Sequence, residues 1–202
     1  MSNWYEYHNE FRKFILDYED DERNAEAYEY AIHFLCDVRN FRGRCFILGM
    51  GGSAANAQHL ANDMRKMCNI DAISLSDNIA ELTARANDDG FTRIYLDSLK
   101  ASNLDENDVV FVLSVSGGSR EKEASLALVH AMDLADEKHA SIIGIVGMED
   151  SVAASFRGKE NNAIMVTPKV EKYQTQFAEA AQGVIWHGLI SDPRLMQKSA
   201  KW

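Results

Sequence analysis

Ser114-Val115-Ser116-Gly117-Gly118-Ser119 puts three hydroxyls and two glycines into six residues, directly after the apolar run Val109-Val110-Phe111-Val112-Leu113. Hydroxyls offer neutral hydrogen bonds. Glycines let backbone N–H groups turn toward a ligand, and a helix starting at Ser119 would add unpaired amides and its positive end. A phosphate fits that chemistry without any lysine. A serine-rich turn with Ser119 as helix N-cap has the same composition. The phosphate is favoured because a second loop of similar character, Gly49-Met50-Gly51-Gly52-Ser53, follows the apolar run Cys45-Phe46-Ile47-Leu48. This loop is neither a Walker A sequence nor a GxGxxG fingerprint, and alone it reads equally well as a tight strand-to-helix turn. Gly51, Gly52 and Ser53 are its candidate ligand contacts, the serine either capping the helix or facing a ligand.

A second set of residues could hold a cation. His59 and Asp63 stand at i and i+4 in a helical pattern and so share a face. Glu179 and His187 lie eight apart in a later one, about 80° around the axis, with Gly183 between them leaving space. Two imidazoles and two carboxylates suit zinc or a similar divalent metal. A histidine–carboxylate pair at this spacing is also common as a plain surface pair. His8, His33, His130 and His139 sit in no motif.

These loops need a scaffold, and the apolar pattern supplies one. Five short runs predict strands: 45–49, 72–75, 109–113, 142–146 and 163–166. They are continuous rather than alternating, as in strands covered on both faces. Helical patterns are expected at 53–68, 78–86, 92–102, 119–138 and 150–156, with a final helix at 171–191. This rhythm predicts an α/β fold, a three-layer doubly wound and mostly parallel five-stranded sheet. Ligands of such sheets bind beyond the carboxyl ends of the strands, where both loops lie. Residues 3–38 predict a helical leader broken at the acidic run Glu19-Asp20-Asp21-Glu22. Its apolar stripe must be buried somewhere, and a neighbouring subunit is the expected place.

At 202 residues and 46% apolar composition, the chain suits one domain, with residues 1–40 as leader and 41–202 as core. A net charge of -10 argues against nucleic acid as a partner. There is no apolar run long enough for a membrane span, and the first residues lack a signal-peptide pattern, so a cytoplasmic protein is expected. Cys36, Cys45 and Cys68 form no CxxC and read as reduced, structural thiols.

Strand–GxGGS–helix followed by strand–SxSGxS–helix resembles the sugar isomerase (SIS) domain family. Within it the chain is most similar to the phosphoheptose isomerases, which interconvert sedoheptulose 7-phosphate and a heptose 7-phosphate. Ala86-Asn87-Asp88-Asp89-Gly90-Phe91 resembles that family's Asn-Asp-x-Gly-Phe segment. The likeness runs from about residue 40 to 190. It implies the SIS fold, a homotetramer and a phosphorylated sugar as substrate. Ser53, Ser114, Ser116 and Ser119 would hold the phosphate, with Val115 in the same loop, and Asn87 and Asp88 would meet sugar hydroxyls. The family has a His and a Glu at i, i+4 on the first helix of the core, and a Gln and a His eight apart on the last. These bind zinc and transfer the proton. The matching positions are His59, Asp63, Glu179 and His187, which makes all four the implied metal ligands and Asp63, Glu179 and His187 the implied catalytic groups.

The chain departs from the family where the chemistry is. Asp63 is one methylene shorter than Glu, about 1.5 Å of reach. Glu179 puts a charge where the family has a neutral amide. Met50, Val115 and Gln176 stand where Asn, Thr and Asp are usual. A non-catalytic SIS protein, binding a sugar phosphate or a protein such as a replication initiator, is the rival expectation. The survival of four metal-capable groups at these spacings favours the enzyme.

Overall fold

The computed structural model describes residues 3–199; Met1, Ser2 and residues 200–202, included in the single-domain expectation, lie outside the described residues. Two leader helices, α1 (Asn3–Glu19) and α2 (Glu22–Phe41), precede the core. The core then runs β1 (Arg44–Gly49), α3 (Gly52–Asp63), β2 (Asp71–Ser74), α4 (Ile79–Asp88), α5 (Ile94–Ala101), β3 (Val109–Ser114), α6 (Leu126–Glu137), β4 (Ser141–Val146), β5 (Asn162–Val166) and α7 (Gln174–Ser191). Each of the five continuous apolar runs is a strand. The leader breaks at the acidic run as expected, because the Asp21 side chain accepts from the Arg23 amide and caps α2.

The strands form one parallel sheet in the order β2-β1-β3-β4-β5. In this order the winding direction reverses between β1 and β3, which opens a crevice at their carboxyl ends. Alternate residues feed two cores. Cys45 and Ile47 point to the face covered by α2, α3 and α7; Phe46 and Leu48 point to the face covered by α5 and α6. The exposed flank of β5 is blunted by Asn24 of α2, which donates to the Val166 carbonyl (3.0 Å) and accepts from its amide (2.8 Å).

The leader's stripe is met within the chain. Tyr7, Phe11 and Phe14 pack edge-on or tilted against Phe177 of α7, while Trp4, Tyr5 and Leu16 stay exposed. The three thiols are unpaired. Burial raises the pKa of Cys45 and pushes Cys68 up to about 11, so neither is a thiolate at neutral pH.

Three helical expectations need correction. The stretch 119–138 is helical only from Leu126, because Glu123 and Ser125 adopt left-handed backbone that the helix cannot include. The stretch 53–68 is α-helical to Asp63 and continues as a π-helical turn, Met64–Cys68. At 150–156 there is only a 3-10 turn, Ala154–Phe156.

Candidate functional site

The loops after β1 and β3 flank the reversal of the sheet. After β1, the chain turns at Gly51 and α3 begins at Gly52. The Tyr95 hydroxyl of α5 donates to the Gly49 carbonyl and pins the turn from the other face of the sheet. Burial raises the Tyr95 pKa, so it remains a donor. Ser53 does not cap the helix: Gly51 takes the cap position. Ser53 lies in the first turn, buried, and its Oγ has no hydrogen-bond partner among the described residues.

The loop after β3 is longer than the sequence suggests. Ser119 and Ala124 exchange backbone hydrogen bonds (2.9 and 3.0 Å), and α6 starts only after Ser125. Ser119 therefore is not the N-cap of α6; its Oγ accepts from the Lys122 amide at 3.2 Å. Within the loop, Ser114 Oγ accepts from the Gly117 amide (2.9 Å) and Ser116 Oγ from the Gly118 amide (3.3 Å). A serine that accepts from the backbone still has its own O–H to donate. Ser114, Ser116 and Ser119 thus have their acceptor sides used to fold the loop and their protons available. Ser125, not singled out from sequence, joins them, its Oγ lying 3.3 Å from that of Ser116. Nothing in the linear pattern marks it, because the short antiparallel bridge is what brings it back.

Helix α7 crosses both loops. Its Gln174 donates to the Gly147 carbonyl (3.0 Å), and Gly147 in turn donates to the Val115 carbonyl (3.1 Å). Glu179 sits one turn further along. A Cβ built on Gly52 would lie 2.4–2.6 Å from the Glu179 carboxylate, so that carboxylate rests against the start of α3. From there α3 and α7 run side by side in the same direction. Asn56 donates to the Glu179 carbonyl (3.0 Å) and to Gln182 Oε1 (3.1 Å).

Two turns on, His59, Asp63 and His187 come together, with ligand-capable atoms all within 4.8 Å of one another. His59 Nε2 and Asp63 Oδ2 are 3.4 Å apart. Around a zinc ion bound at about 2.0–2.1 Å, tetrahedral donor atoms stand about 3.3 Å apart, so this edge already has the right length. His187 Nδ1 lies 2.6 Å from the Gly183 carbonyl. With the proton placed on Nδ1, Nε2 is left as the ligating nitrogen. The donor set therefore fits a divalent metal. Glu179, the fourth expected ligand, stands apart from the three at the other end of the helix pair. Asp63 occupies the junction of the α-helix and the π-turn, a kind of distortion that often marks functional positions.

Trp186 was not foreseen. Its buried indole stacks on the His187 ring (centroids 3.5 Å) and meets the His59 ring edge-on (4.9 Å). Trp186→Ala is expected to loosen both imidazoles and weaken Zn2+ affinity by about 10–100-fold, measured by competition with a chromophoric chelator. Trp186→Phe, which keeps a ring, should retain most of the affinity. Equal affinity in the alanine variant would remove Trp186 from any positioning role.

Asn87 and Asp88 end α4, a helix with no buried residue. They are exposed, and among the described residues their one side-chain bond is to each other (Asn87 Nδ2 to Asp88 Oδ1, 2.7 Å). They make no hydrogen bond to the two loops or the histidines. His59 and His187 are also exposed, so the site in one chain is open. A well-formed groove of about 730 Å3 lies elsewhere, between α2 and the segment before β5, and includes none of these residues.

The SIS domain family model matches residues 6–147. A phosphoheptose isomerase of Syntrophotalea carbinolica is 32% identical over 152 residues, covering 72% of this chain and 69% of that protein. One from Rhodospirillum rubrum is 30% identical over 155 residues, covering 74% and 77%. Among solved structures, a phosphoheptose isomerase from Neisseria gonorrhoeae superposes with a TM-score of 0.78 at 22% identity, over 91% of this chain and 93% of that one. One from Francisella tularensis gives 0.80 at 18% identity, over 94% and 96%. At these identities the two structures establish the fold.

Proposed function

From the premise that the chain belongs to the SIS domain family, we propose that it is a phosphosugar isomerase, interconverting sedoheptulose 7-phosphate and an aldoheptose 7-phosphate. One observation supports this: His59, Asp63 and His187 converge on α3, which runs from the loop after β1, and on α7, which packs beside it. His59 is seven residues beyond Gly52, about 10 Å along the helix. An extended seven-carbon chain with its phosphate spans on the order of 10 Å. On this reading a substrate held at the two loops by Ser53, Ser114, Ser116 and Ser119 would present its other end to the histidines.

His59, Asp63 and His187 would hold a divalent metal, zinc by donor type, with Glu179 as a fourth ligand if it swings toward them. When bound, the metal polarises the sugar carbonyl. Asp63 would carry the proton between C1 and C2 through an enediol, with Glu179 as the other candidate for this step. His187 would serve either as a metal ligand or as the acid–base partner at the sugar oxygens, because Nδ1 is engaged with the Gly183 carbonyl and only Nε2 is left. Gly51 and Gly52 leave room at the start of α3, Ser53 adds a hydroxyl there, and Val115 contributes backbone to the phosphate loop.

The open site points to completion by another subunit, and we extend the proposal to a homotetramer. Trp4, Tyr5 and Leu16 on α1 offer apolar surface for it, and exposed Asn87 and Asp88 could meet the sugar across an interface. Among the described residues no helix is long and apolar enough to cross a membrane. Together with the reduced thiols, this supports a cytoplasmic location.

The test is to assay bound metal and then follow sedoheptulose 7-phosphate turnover with and without a chelator. Metal-dependent turnover is expected, and Ser116→Ala should weaken phosphosugar binding. A metal-free protein inert toward a panel of phosphosugars would sink the enzyme and leave a non-catalytic binder. Unchanged affinity in Ser116→Ala would count against the loop.

A further inference from the structure

We infer that Gln174, the first residue of α7, is a positioning residue for phosphate binding: its carboxamide holds the turn after β4 against the back of the loop Ser114–Ser119 and keeps that loop in its gripping form. This rests on the phosphate reading of the loop and adds a residue outside it.

The loop is braced from behind by the segment after β4. Gly147 donates to the Ser114 and Val115 carbonyls (3.2 and 3.1 Å), Ala153 to the Gly117 carbonyl (2.9 Å) and Val152 to the Gly118 carbonyl (3.0 Å). All peptides here are trans, so each carbonyl and the amide that follows it point in opposite directions. Tying the Val115 carbonyl to Gly147 therefore turns the Ser116 N–H to the other side of the loop. The amides of Gly117, Gly118 and Ser119 are used within the loop. The Ser116 amide has no hydrogen-bond partner among the described residues, so Gly147 sets the direction of a free donor.

Gly147 cannot hold that position by itself. A Cβ there would lie 2.5 Å from the Val115 carbonyl oxygen, so only glycine lets the two backbones approach this closely, and glycine has the greatest backbone freedom. Gln174 supplies the restraint. Its Nε2 donates to the Gly147 carbonyl (3.0 Å) and to the Pro168 carbonyl (3.4 Å), and its Oε1 accepts from the Val170 amide (2.7 Å). Both ends of the carboxamide are engaged, between the turn after β4 and the segment 167–173 that leads into α7. His187 lies thirteen residues further along α7, about 20 Å away, so the effect belongs to phosphate binding and not to the histidines.

Two variants of the full chain with its metal bound make the test. Gln174→Met removes all three hydrogen bonds at similar volume. Gln174→Glu, ionised at about pH 8, still accepts from Val170 but cannot donate to Gly147. Binding of inorganic phosphate and of sedoheptulose 7-phosphate is measured by calorimetry, alongside kcat, metal content and thermal unfolding. Both variants are expected to bind both ligands at least about 10-fold more weakly, with kcat at saturation within about 3-fold and metal content unchanged, the pattern of a binding contribution lost equally from ground and transition states. If Gln174→Met does not fold, Gln174→Glu, which keeps the Val170 bond, decides the matter. Wild-type affinity in either folded variant, or a fall in kcat with affinity intact, overturns the inference and leaves the site standing. A wild type that binds neither phosphate nor the sugar phosphate overturns the site as well.

Discussion

His187→Ala is expected to release the bound metal and to lower phosphosugar turnover by about 10²–10⁴-fold, the range for loss of a positioned acid–base group. The effect should be local. His187 is exposed, and its one hydrogen bond stays within α7, to the Gly183 carbonyl. What the fold loses is its stacking on Trp186, about 1 kcal/mol. Thermal unfolding should therefore move by a few degrees at most while metal content, read by elemental analysis, drops. The converse pattern, with metal and turnover retained in the alanine variant, would remove His187 from the site. His59→Ala makes a useful companion, because His59 shares both the Asp63 contact and the Trp186 contact.

Gly117→Ala is expected to cripple phosphate binding through backbone geometry alone. Gly117 has φ +66°, a left-handed conformation that costs an alanine about 1–2 kcal/mol. A Cβ there would also lie 2.2 Å from Ser151 Oγ. Ser151 cannot yield freely. Its hydroxyl donates to the Met148 carbonyl (2.7 Å) and accepts from the Ala154 amide (3.1 Å). The loop must shift instead, and the Ser114 Oγ–Gly117 N–H bond that orders it would be lost. A displacement near 1 Å at a reacting or gripping position costs about 100-fold. Phosphosugar affinity should fall at least about 10-fold, and stability by about 1–3 kcal/mol. Wild-type affinity in a folded Gly117→Ala protein would show that the loop does not grip the phosphate.

Both predictions draw on features with different visibility in the sequence. The strands were legible because a buried parallel strand is apolar at every position, and runs such as Val109–Leu113 have no other economical explanation. The phosphate loop was legible by composition, since three hydroxyls and two glycines after such a run are uncommon. Its extent was not. Ser119 resembles a helix cap in one dimension, but the bridge between Ser119 and Ala124 and the left-handed Glu123 and Ser125 delay α6 to Leu126. Bridges of that kind depend on contacts that periodicity does not encode. The helix expected at 150–156 shrinks to the 3-10 turn Ala154–Phe156 for the same reason, because the Val152 and Ala153 amides bond to the Gly118 and Gly117 carbonyls.

The candidate metal residues divide in the same way. His59 and Asp63 are neighbours by local helical geometry, so their pairing follows from spacing alone. That His187 joins them is a consequence of α3 and α7 lying side by side and parallel, which depends on packing over the sheet. The same packing carries Glu179 to Gly52 instead of to the histidines, and sets the Trp186 indole against both rings. The amino-acid order by itself determined the layer architecture, the two loops and the chemical types gathered at them, because these depend on local periodicity and composition. Only the tertiary structure decided which of the four metal-capable groups meet and which carboxylate rests beside Gly52. Those outcomes are set by the relative placement of two helices more than a hundred residues apart in sequence, where no local rule reaches.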